Sequence, residues 1–241
     1  MFHWKKKNLN HEDRPKGVEP YMILLHYTGM QSMEEAKDRL SDPESKVSAH
    51  YLIDEDGSVF DLVPEDKRAW HAGVSYWSGE SDINSVSIGI EIVNKGHEFG
   101  YEPFSLAQMK AVLKLCREIK GRNDITHVLG HSDVAPERKQ DPGELFDWQW
   151  LSEHGIGLWP EPTDEEIMQA KDLVRKDFEV KKLFDLYGYN KAAAHIDVVT
   201  AFHRHYLPQT FLAETQGVVH METVARLLSL IRQQTILIEN D

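Results

Sequence analysis

The sequence has little that would cross-link the chain covalently or anchor it in a membrane. Its 241 residues include a single cysteine, Cys116, so no intramolecular disulfide can form, and cysteine use leaves the compartment open. No segment approaches the ~20 consecutive apolar residues of a membrane-spanning helix. Residues 1–17 carry positive charge without an apolar run behind them, unlike a signal peptide. We therefore expect a fold that depends on its core alone, with no membrane span.

Basic side chains are also scarce. The chain has 27 Lys and Arg against 40 Asp and Glu, a formal net charge of -13 at pH 7. Because nucleic-acid-binding proteins normally present a clustered basic face, this balance predicts no nucleic-acid partner. A hydrophobic content of 41% is ordinary for a globular protein, and the length suits one sizeable domain or a main domain with a small appendage.

Strand and helix patterns alternate through residues 20–160. The apolar runs YMILLHYT, SVSIGIEIVN and ITHVLGHSD predict buried strands, and AHYLIDEDGSVFDLV predicts a hairpin around Asp56 and Gly57. SMEEAKDRL predicts a short helix. MKAVLKLCREI predicts a longer one, which begins behind a capping box of Ser105 and Gln108. The alternation predicts an α/β fold with a mixed central sheet flanked by helices.

The composition changes after the two prolines of GLWPEPT, residues 157–163. From a second capping box, Thr163 and Glu166, the remaining pattern is helical, in three segments. We predict a domain boundary near residue 162. Residues 1–162 would form the main domain, with the first ~18 residues as an extension, and residues 163–241 a small all-α three-helix module.

Three possible metal ligands come from the ends of predicted elements. His26 closes one strand and His131 another, and Asp141 follows in GHSDVAPERKQDPG, a stretch that we predict to be neither helix nor strand. Catalytic zinc sites use three N, O or S ligands and keep a fourth position for water. Spacing alone does not establish a metal site. The chain has 13 histidines, and a single histidine is more often a surface or core residue than a metal ligand.

Two charged residues could act beside such a metal. Glu91 interrupts an apolar strand, and a buried carboxylate is costly unless it is paired, protonated or near a metal. The alternation also allows Gly89, Glu91 and Val93 to share a solvent-facing side. Lys139 could direct its ammonium at an oxyanion, or it could be a solvated loop lysine beside Arg138.

Five separated motifs together resemble a known family. LLHYTGM, SAHYLIDEDG, AWHAGVSYW, SIGIEIVN and GHSDVAPERKQDPGELFDW occur in the order found in zinc-dependent N-acetylmuramoyl-L-alanine amidases, a superfamily that also includes phage amidases and peptidoglycan recognition proteins. The resemblance covers roughly residues 20–160. It implies that His26, His131 and Asp141 bind one zinc ion, that Glu91 acts on the zinc-bound water, and that Lys139 steadies the transition state.

The resemblance also implies a substrate groove. Trp70 and His71 would line it. The Trp70 indole would offer a flat wall for a sugar or peptide, and the His71 imidazole would bond a carbonyl. Core packing is the alternative for Trp70. Asn94 could bond the lactyl or stem-peptide groups. His50 and His127 are interpreted as structural.

The implied reaction is hydrolysis of the amide between N-acetylmuramic acid, or its anhydro form, and the L-alanine of the stem peptide. A recognition protein that binds peptidoglycan without cleaving it is the alternative, but it would lack a ligand or the glutamate. Another class of zinc hydrolase lacks support because the chain has no H-E-x-x-H helix.

Residues 163–241 resemble the three-helix peptidoglycan-binding module attached to many such amidases, through VVTAFHRHYLP. A helical cap that only stabilises the core is the competing interpretation. We expect a monomer that acts on peptidoglycan or muropeptides. We expect it in the cytoplasm, with the periplasm or cell envelope as the alternative if a leader has been removed.

Overall fold

A six-stranded mixed sheet forms the centre of the protein in its computed structural model, which describes residues 2–3 and 10–240, with side chains from 10 to 236. Its strands are β1 (Phe2–His3), β3 (Met22–Tyr27), β4 (Tyr51–Ile53), β5 (Val59–Asp61), β7 (Ser87–Ile92) and β8 (His127–Gly130), in the spatial order β1-β5-β4-β7-β3-β8. Two short strands, β2 (His11–Asp13) and β6 (Lys67–Ala69), pair separately in antiparallel fashion. The predicted mixed sheet is confirmed.

Helices cover the sheet and continue to the end of the described chain. They are α1 (Met33–Ser41), α2 (Ile83–Val86), α3 (Gly96–Phe99), α4 (Leu106–Lys120), α5 (His131–Val134), α6 (Trp148–Glu153), α7 (Asp164–Leu173), α8 (Asp177–Tyr187), α9 (His195–Tyr206), α10 (Gln209–Leu212) and α11 (Met221–Asn240). Both predicted capping boxes are present, at the starts of α4 and α7. Among the helices described, none is long and apolar enough to span a membrane.

The central strands are parallel, and their register positions the site. Strand β3 lies between β7 and β8 and runs parallel to both. His26 is the register partner of Glu91 on one side, and Leu25 is the partner of Gly130 on the other. Because parallel strands end at the same edge of a sheet, His26, Glu91 and the residue after Gly130 meet at one crevice.

Each face of the sheet packs against helices. Ile88, Ile90 and Ile92 are fully buried on the face covered by α4. On the opposite face, Met22 and Leu24 share a hydrophobic cluster with side chains of the C-terminal helices: Ala170, Val180, Phe184, Val199, Phe202, Val224 and Leu227. One cluster therefore joins the sheet to residues beyond 162.

Two local predictions were wrong. The first four residues of HSDVAPERKQD form the helical turn α5, because the Asp133 carboxylate accepts the Gly130 backbone N–H and caps it. The first predicted C-terminal helix is two helices, and the short α10 follows α9, so the region holds five helices within the described residues rather than three. In one straight helix Val180 would lie about 80° around from Ala170, and the break lets both residues reach the core.

The N-terminal segment packs on the main body where it is described. Asn10 donates to the backbone oxygens of Asp42 and Val47, and Arg14 donates to backbone oxygens of the segment that leads into β7. The rest of the predicted extension, residues 1 and 4–9, lies outside the described residues. The division of the chain near residue 162 stays a prediction.

Candidate active site

Three buried ligand atoms converge at the carboxyl edge of the sheet. His26 Nδ1 lies 3.0 Å from His131 Nδ1 and 3.0 Å from Asp141 Oδ2, and the last two atoms are 3.1 Å apart. These residues form the one group of potential metal ligands found among the described residues. Tetrahedral ligands at about 2.0–2.1 Å from a metal would be separated by about 3.3 Å, so this triangle fits one face of such a site.

The remaining ring nitrogens fix which atoms face the centre. His131 Nε2 lies 2.9 Å from the backbone oxygen of Ala72, to which it donates, so its Nδ1 carries the lone pair. His26 Nε2 lies 3.1 Å from His71 Nδ1, and His71 Nε2 lies 3.3 Å from Ser87 Oγ. Since the Ser87 hydroxyl donates to the Ile83 oxygen, Ser87 Oγ accepts from His71 Nε2, and His71 Nδ1 in turn accepts the His26 Nε2–H. Both histidines therefore present Nδ1 to a metal.

The electrostatics suit a cation. Burial and then the neighbouring charge of His131 lower the pKa of His26 to about 4, so its ring is neutral at neutral pH and free to bind a metal. Burial acts to raise the pKa of Asp141, but His131 and His26 outweigh it and hold that pKa well below its ordinary value. Two neutral imidazoles and one carboxylate leave a divalent ion with one net positive charge.

Glu91 lines the same cavity as this triangle of ligand atoms. Its Oε2 is buried and has no hydrogen-bond partner among the described residues. Burial, followed by the negative charge of Asp141, raises the pKa of Glu91 well above its ordinary value, while the charge of Lys139 opposes the shift. The structure thus decides between a solvent-facing Glu91 and one near the predicted metal site. The isoleucines of the strand face the core, and Glu91 faces the crevice.

A cavity of about 560 Å³ opens over the triangle. The predicted residues Trp70, His71, Glu91 and Lys139 line it together with the three ligands. Arg39 and Arg138, which the sequence did not single out, add positive charge to the same wall. The cavity is therefore polar at the metal end, and its wall carries both these cations and the acidic Glu98.

His71 lies at the cavity as predicted, but its ring nitrogens have other partners than the substrate carbonyl we expected. Both of its ring nitrogens are used within the protein, so it supports His26 rather than offering a free bond to a substrate. Gly89 makes this possible, because a Cβ at that position would meet the His71 ring at 2.5 Å. Gly89, in SIGIEIVN, thus leaves room for the ring of His71, in AWHAG.

The structure does not bring Asn94 to the cavity. Its side-chain amide donates to the Glu102 oxygen at 2.8 Å and accepts the Gly96 N–H at 3.0 Å. Asn94 therefore holds its own loop. His50 is fully buried and accepts the Gly89 N–H, and His127 packs edge-on against Tyr21.

Comparison with known proteins gives consistent matches. A family model described as N-acetylmuramoyl-L-alanine amidase matches residues 16–144. The N-acetylmuramoyl-L-alanine amidase AmiD of Escherichia coli (strain K12) is 33% identical over 223 residues, which cover 82% of this chain and 80% of that protein. The 1,6-anhydro-N-acetylmuramyl-L-alanine amidase AmpD of the same organism is 45% identical over 104 residues, 43% of this chain and 55% of the relative.

Solved structures agree over most of the chain. AmpDh3 from Pseudomonas aeruginosa has a TM-score of 0.79 at 32% identity, with 91% of this chain and 94% of that chain covered. Escherichia coli AmiD, in complex with the substrate anhydro-N-acetylmuramic acid-L-Ala-D-gamma-Glu-L-Lys, has a TM-score of 0.76 at 30% identity, with 91% and 92% covered.

Fold and site together fit the class of metal-dependent hydrolases, because three buried side chains that could hold a metal ion lie at the cavity. The comparisons specify which kind: the chain belongs to the N-acetylmuramoyl-L-alanine amidase family. Enzymes of this family hydrolyse the amide bond between N-acetylmuramic acid and the L-alanine of the peptidoglycan stem peptide.

Proposed function

We propose that this enzyme cleaves anhydromuropeptides with the help of one zinc ion held by His26, His131 and Asp141. The observation that carries the proposal is the triangle of buried ligand atoms beside the unpaired Glu91 carboxylate. Two histidines and a carboxylate are a common ligand set of catalytic zinc. The anhydro form is favoured because both AmiD and AmpDh3 have structures with anhydromuramic ligands.

In the proposed mechanism, a zinc ion in this site supplies a Lewis acid for the scissile carbonyl and lowers the pKa of the attacking water. Glu91 accepts the proton of that water through its unpaired oxygen. The carboxyl group holds that proton and delivers it to the L-alanine nitrogen as the C–N bond breaks. One carboxylate thus serves as base and then as acid.

The cavity wall would stabilise charge and orient the substrate. Lys139 directs an ammonium toward the oxyanion that develops on the carbonyl oxygen. Trp70 offers a flat apolar surface for the sugar or the peptide. The cationic side chains Arg39 and Arg138 suit a peptide whose γ-linked glutamate keeps a free carboxylate, as in the ligand of AmiD.

Mass spectrometry of defined muropeptides tests the proposal. The metal-free protein and the zinc-loaded protein are each incubated with anhydro and non-anhydro substrates. We expect stem peptide beginning with L-alanine to appear only with zinc, and faster from the anhydro substrate. Binding of muropeptide by the zinc-loaded protein without any release would instead favour the recognition protein.

Three finer features remain predictions. The monomeric state is checked by light scattering, and the cytoplasmic location, with the cell envelope as the alternative, by fractionation of the source cells. A peptidoglycan-binding role for residues 163–241 is checked by sedimentation of the full chain with insoluble peptidoglycan. Sedimentation only while the active-site cavity is free would contradict a separate binding module.

A further inference from the structure

The Asp133 carboxylate, two residues after the ligand His131, is held from a distant part of the chain. It is buried and receives three hydrogen bonds. Oδ2 accepts the Gly130 N–H at 2.8 Å and faces His205 Nδ1 at 2.7 Å, and Oδ1 accepts the Tyr189 hydroxyl at 2.9 Å. Two of the three donors therefore belong to the C-terminal helical region, on α9 and directly after α8.

His205 is itself firmly placed. Its ring stacks on the Trp148 indole, with centroids 3.7 Å apart and an interplanar angle of 23°, and on Tyr206 at 3.7 Å and 11°. The Tyr206 hydroxyl lies 2.6 Å from that of Tyr187. A ring fixed in this way can hold a carboxylate in one position, because a fixed donor loses little conformational freedom on making the bond.

The neighbouring residue of α9 holds the other end of the same loop. Arg204 Nε lies 3.3 Å from Glu144 Oε2, and the Arg204 side chain is only 6% exposed. Glu144 also bonds His97 Nε2 at 3.1 Å, and His97 Nδ1 lies 2.9 Å from the Tyr27 hydroxyl. Tyr27 directly follows the ligand His26, so this chain of contacts ends beside the metal site.

These contacts bracket the metal loop, residues 130–144. Asp133 lies near its start and Glu144 at its end, with the ligands His131 and Asp141 next to them. The loop is closed internally by the Ser132 N–H, which donates to the Asp141 backbone oxygen at 2.9 Å. Two consecutive residues of one helix, Arg204 and His205, thus fix both ends of the loop.

We infer that α9 is a clamp on the metal loop, and that His205 and Arg204 are positioning residues for the two loop ligands. The inference rests on the proposed function to the extent that this loop holds the metal. Groups that hydrogen-bond a metal ligand commonly change metal affinity by about 10- to 100-fold, and His205 acts one contact further out, through Asp133, so we expect an effect at the lower end of that range. The C-terminal helices then support the metal site, whether or not they also bind peptidoglycan.

The test measures zinc affinity of the full chain by chelator competition, in the absence of substrate. His205→Phe keeps a stacking ring but removes the donor, and His205→Asn keeps an amide N–H near the place of Nδ1. His203→Phe is the matched control, because His203 is fully buried on the same helix but bonds Thr223 instead. We expect about a 10-fold weaker zinc affinity for His205→Phe, substantial recovery for His205→Asn, and little change for the control.

Tyr189→Phe removes one hydroxyl from the same carboxylate and covers the case in which His205→Phe does not fold. We expect it to weaken zinc binding by a smaller factor while the protein stays folded. Wild-type zinc affinity in both His205→Phe and Tyr189→Phe, or equal losses in His205→Phe and His203→Phe, would overturn the clamp. A wild-type protein that binds zinc but releases no stem peptide would overturn the proposed function instead.

Discussion

Glu91 and His26 are the two residues whose relation matters most for the chemistry. They are register partners on neighbouring parallel strands, so the backbone itself fixes the distance between the proposed base and a metal ligand. A one-residue slip in that register would turn either side chain to the opposite face of the sheet. The sheet therefore sets the active-site geometry more rigidly than a loop would.

Glu91→Gln should abolish most of the turnover while leaving metal binding in place. The amide keeps the size of the side chain but cannot accept the proton of water, and loss of a general base typically costs about 10²–10⁴-fold in rate. Steady-state kinetics and zinc content are measured together. Glu118→Gln, the same change at a partly exposed position of α4 away from the cavity, is the control. Undiminished turnover in Glu91→Gln would remove Glu91 from the mechanism.

His71→Phe should weaken metal binding although His71 is not a ligand. The change removes the acceptor for the His26 Nε2 proton, and loss of such a partner commonly lowers metal affinity by about 10- to 100-fold. His71→Asn places an amide oxygen near the position of Nδ1 and should recover much of that loss. Competition with a chelator gives both values. Equal affinity for His71→Phe and wild type would show that the contact has no effect on the ligand.

For individual residues, the sequence predicts the metal ligands better than the residues that hold those ligands in place. His26, His131 and Asp141 stand in recognisable motifs, and the structure brings them together. The supporting role of His71 depends on the absence of a Cβ at Gly89, a contact between distant segments that no spacing rule reveals. Asn94 follows a strand at the right edge, yet its amide turns to its own loop.

Elements were predictable where their apolar pattern is long and regular. Strands β3 and β7 and helix α4 follow from periodicity and capping alone. The turn α5 was missed because a side chain, Asp133, caps it from within a proline-containing loop. The residues between α7 and α8 include neither proline nor glycine. Packing explains the break, because it lets both Ala170 and Val180 reach the core.

Glu65 ties strand β4 to the chain after α4 and makes their packing depend on pH. It accepts hydrogen bonds from Tyr51 at 2.5 Å, Arg122 at 2.7 Å and Asn123 at 2.8 Å. Burial acts to raise the pKa of Glu65, but these donors outweigh it and the pKa lies below its ordinary value. This stabilisation is therefore complete above the ordinary pKa, near 4.5, and is lost as the pH falls through the lower folded-state value.

Glu65→Gln should accordingly lower the free energy of unfolding by about 1–3 kcal/mol at pH 7. The difference from wild type should shrink as the pH falls below the ordinary pKa, because the unfolded wild-type chain then takes up a proton that the native Glu65 carboxylate resists. Urea unfolding at a series of pH values measures both. A difference that stays constant down to acidic pH would mean that the charge of Glu65 contributes nothing.

The molecule as a whole has a core that crosses the predicted boundary near residue 162. Trp77 packs edge-on against Tyr187 and Tyr189, with ring centroids 5.5 and 5.0 Å away, and the Ser78 N–H donates to the Gly188 oxygen. The prolines of residues 157–163 are typical of a linker, but composition along the chain carries no information about packing across it. The sequence could therefore predict a change of pattern and not how closely its two sides pack.

Phe184→Ala should destabilise the whole protein rather than its C-terminal part alone. Phe184 is buried in the cluster shared with the sheet, and truncating a buried phenylalanine costs about 3–5 kcal/mol. Calorimetry of the metal-free protein should show one transition in wild type and one, at lower temperature, in the variant. Two transitions, of which only one moves, would instead support independent folding of residues 163–241.

The burial of Cys116 makes the protein a convenient host for spectroscopic labels. Burial raises the pKa of this thiol, the only one in the chain, to about 12, so it forms little reactive thiolate at neutral pH. A cysteine introduced at the exposed Val74, whose backbone oxygen bonds the cavity residue Arg138, would then take up a fluorophore or spin label selectively. The natural thiol need not be removed before substrate entry is followed in real time.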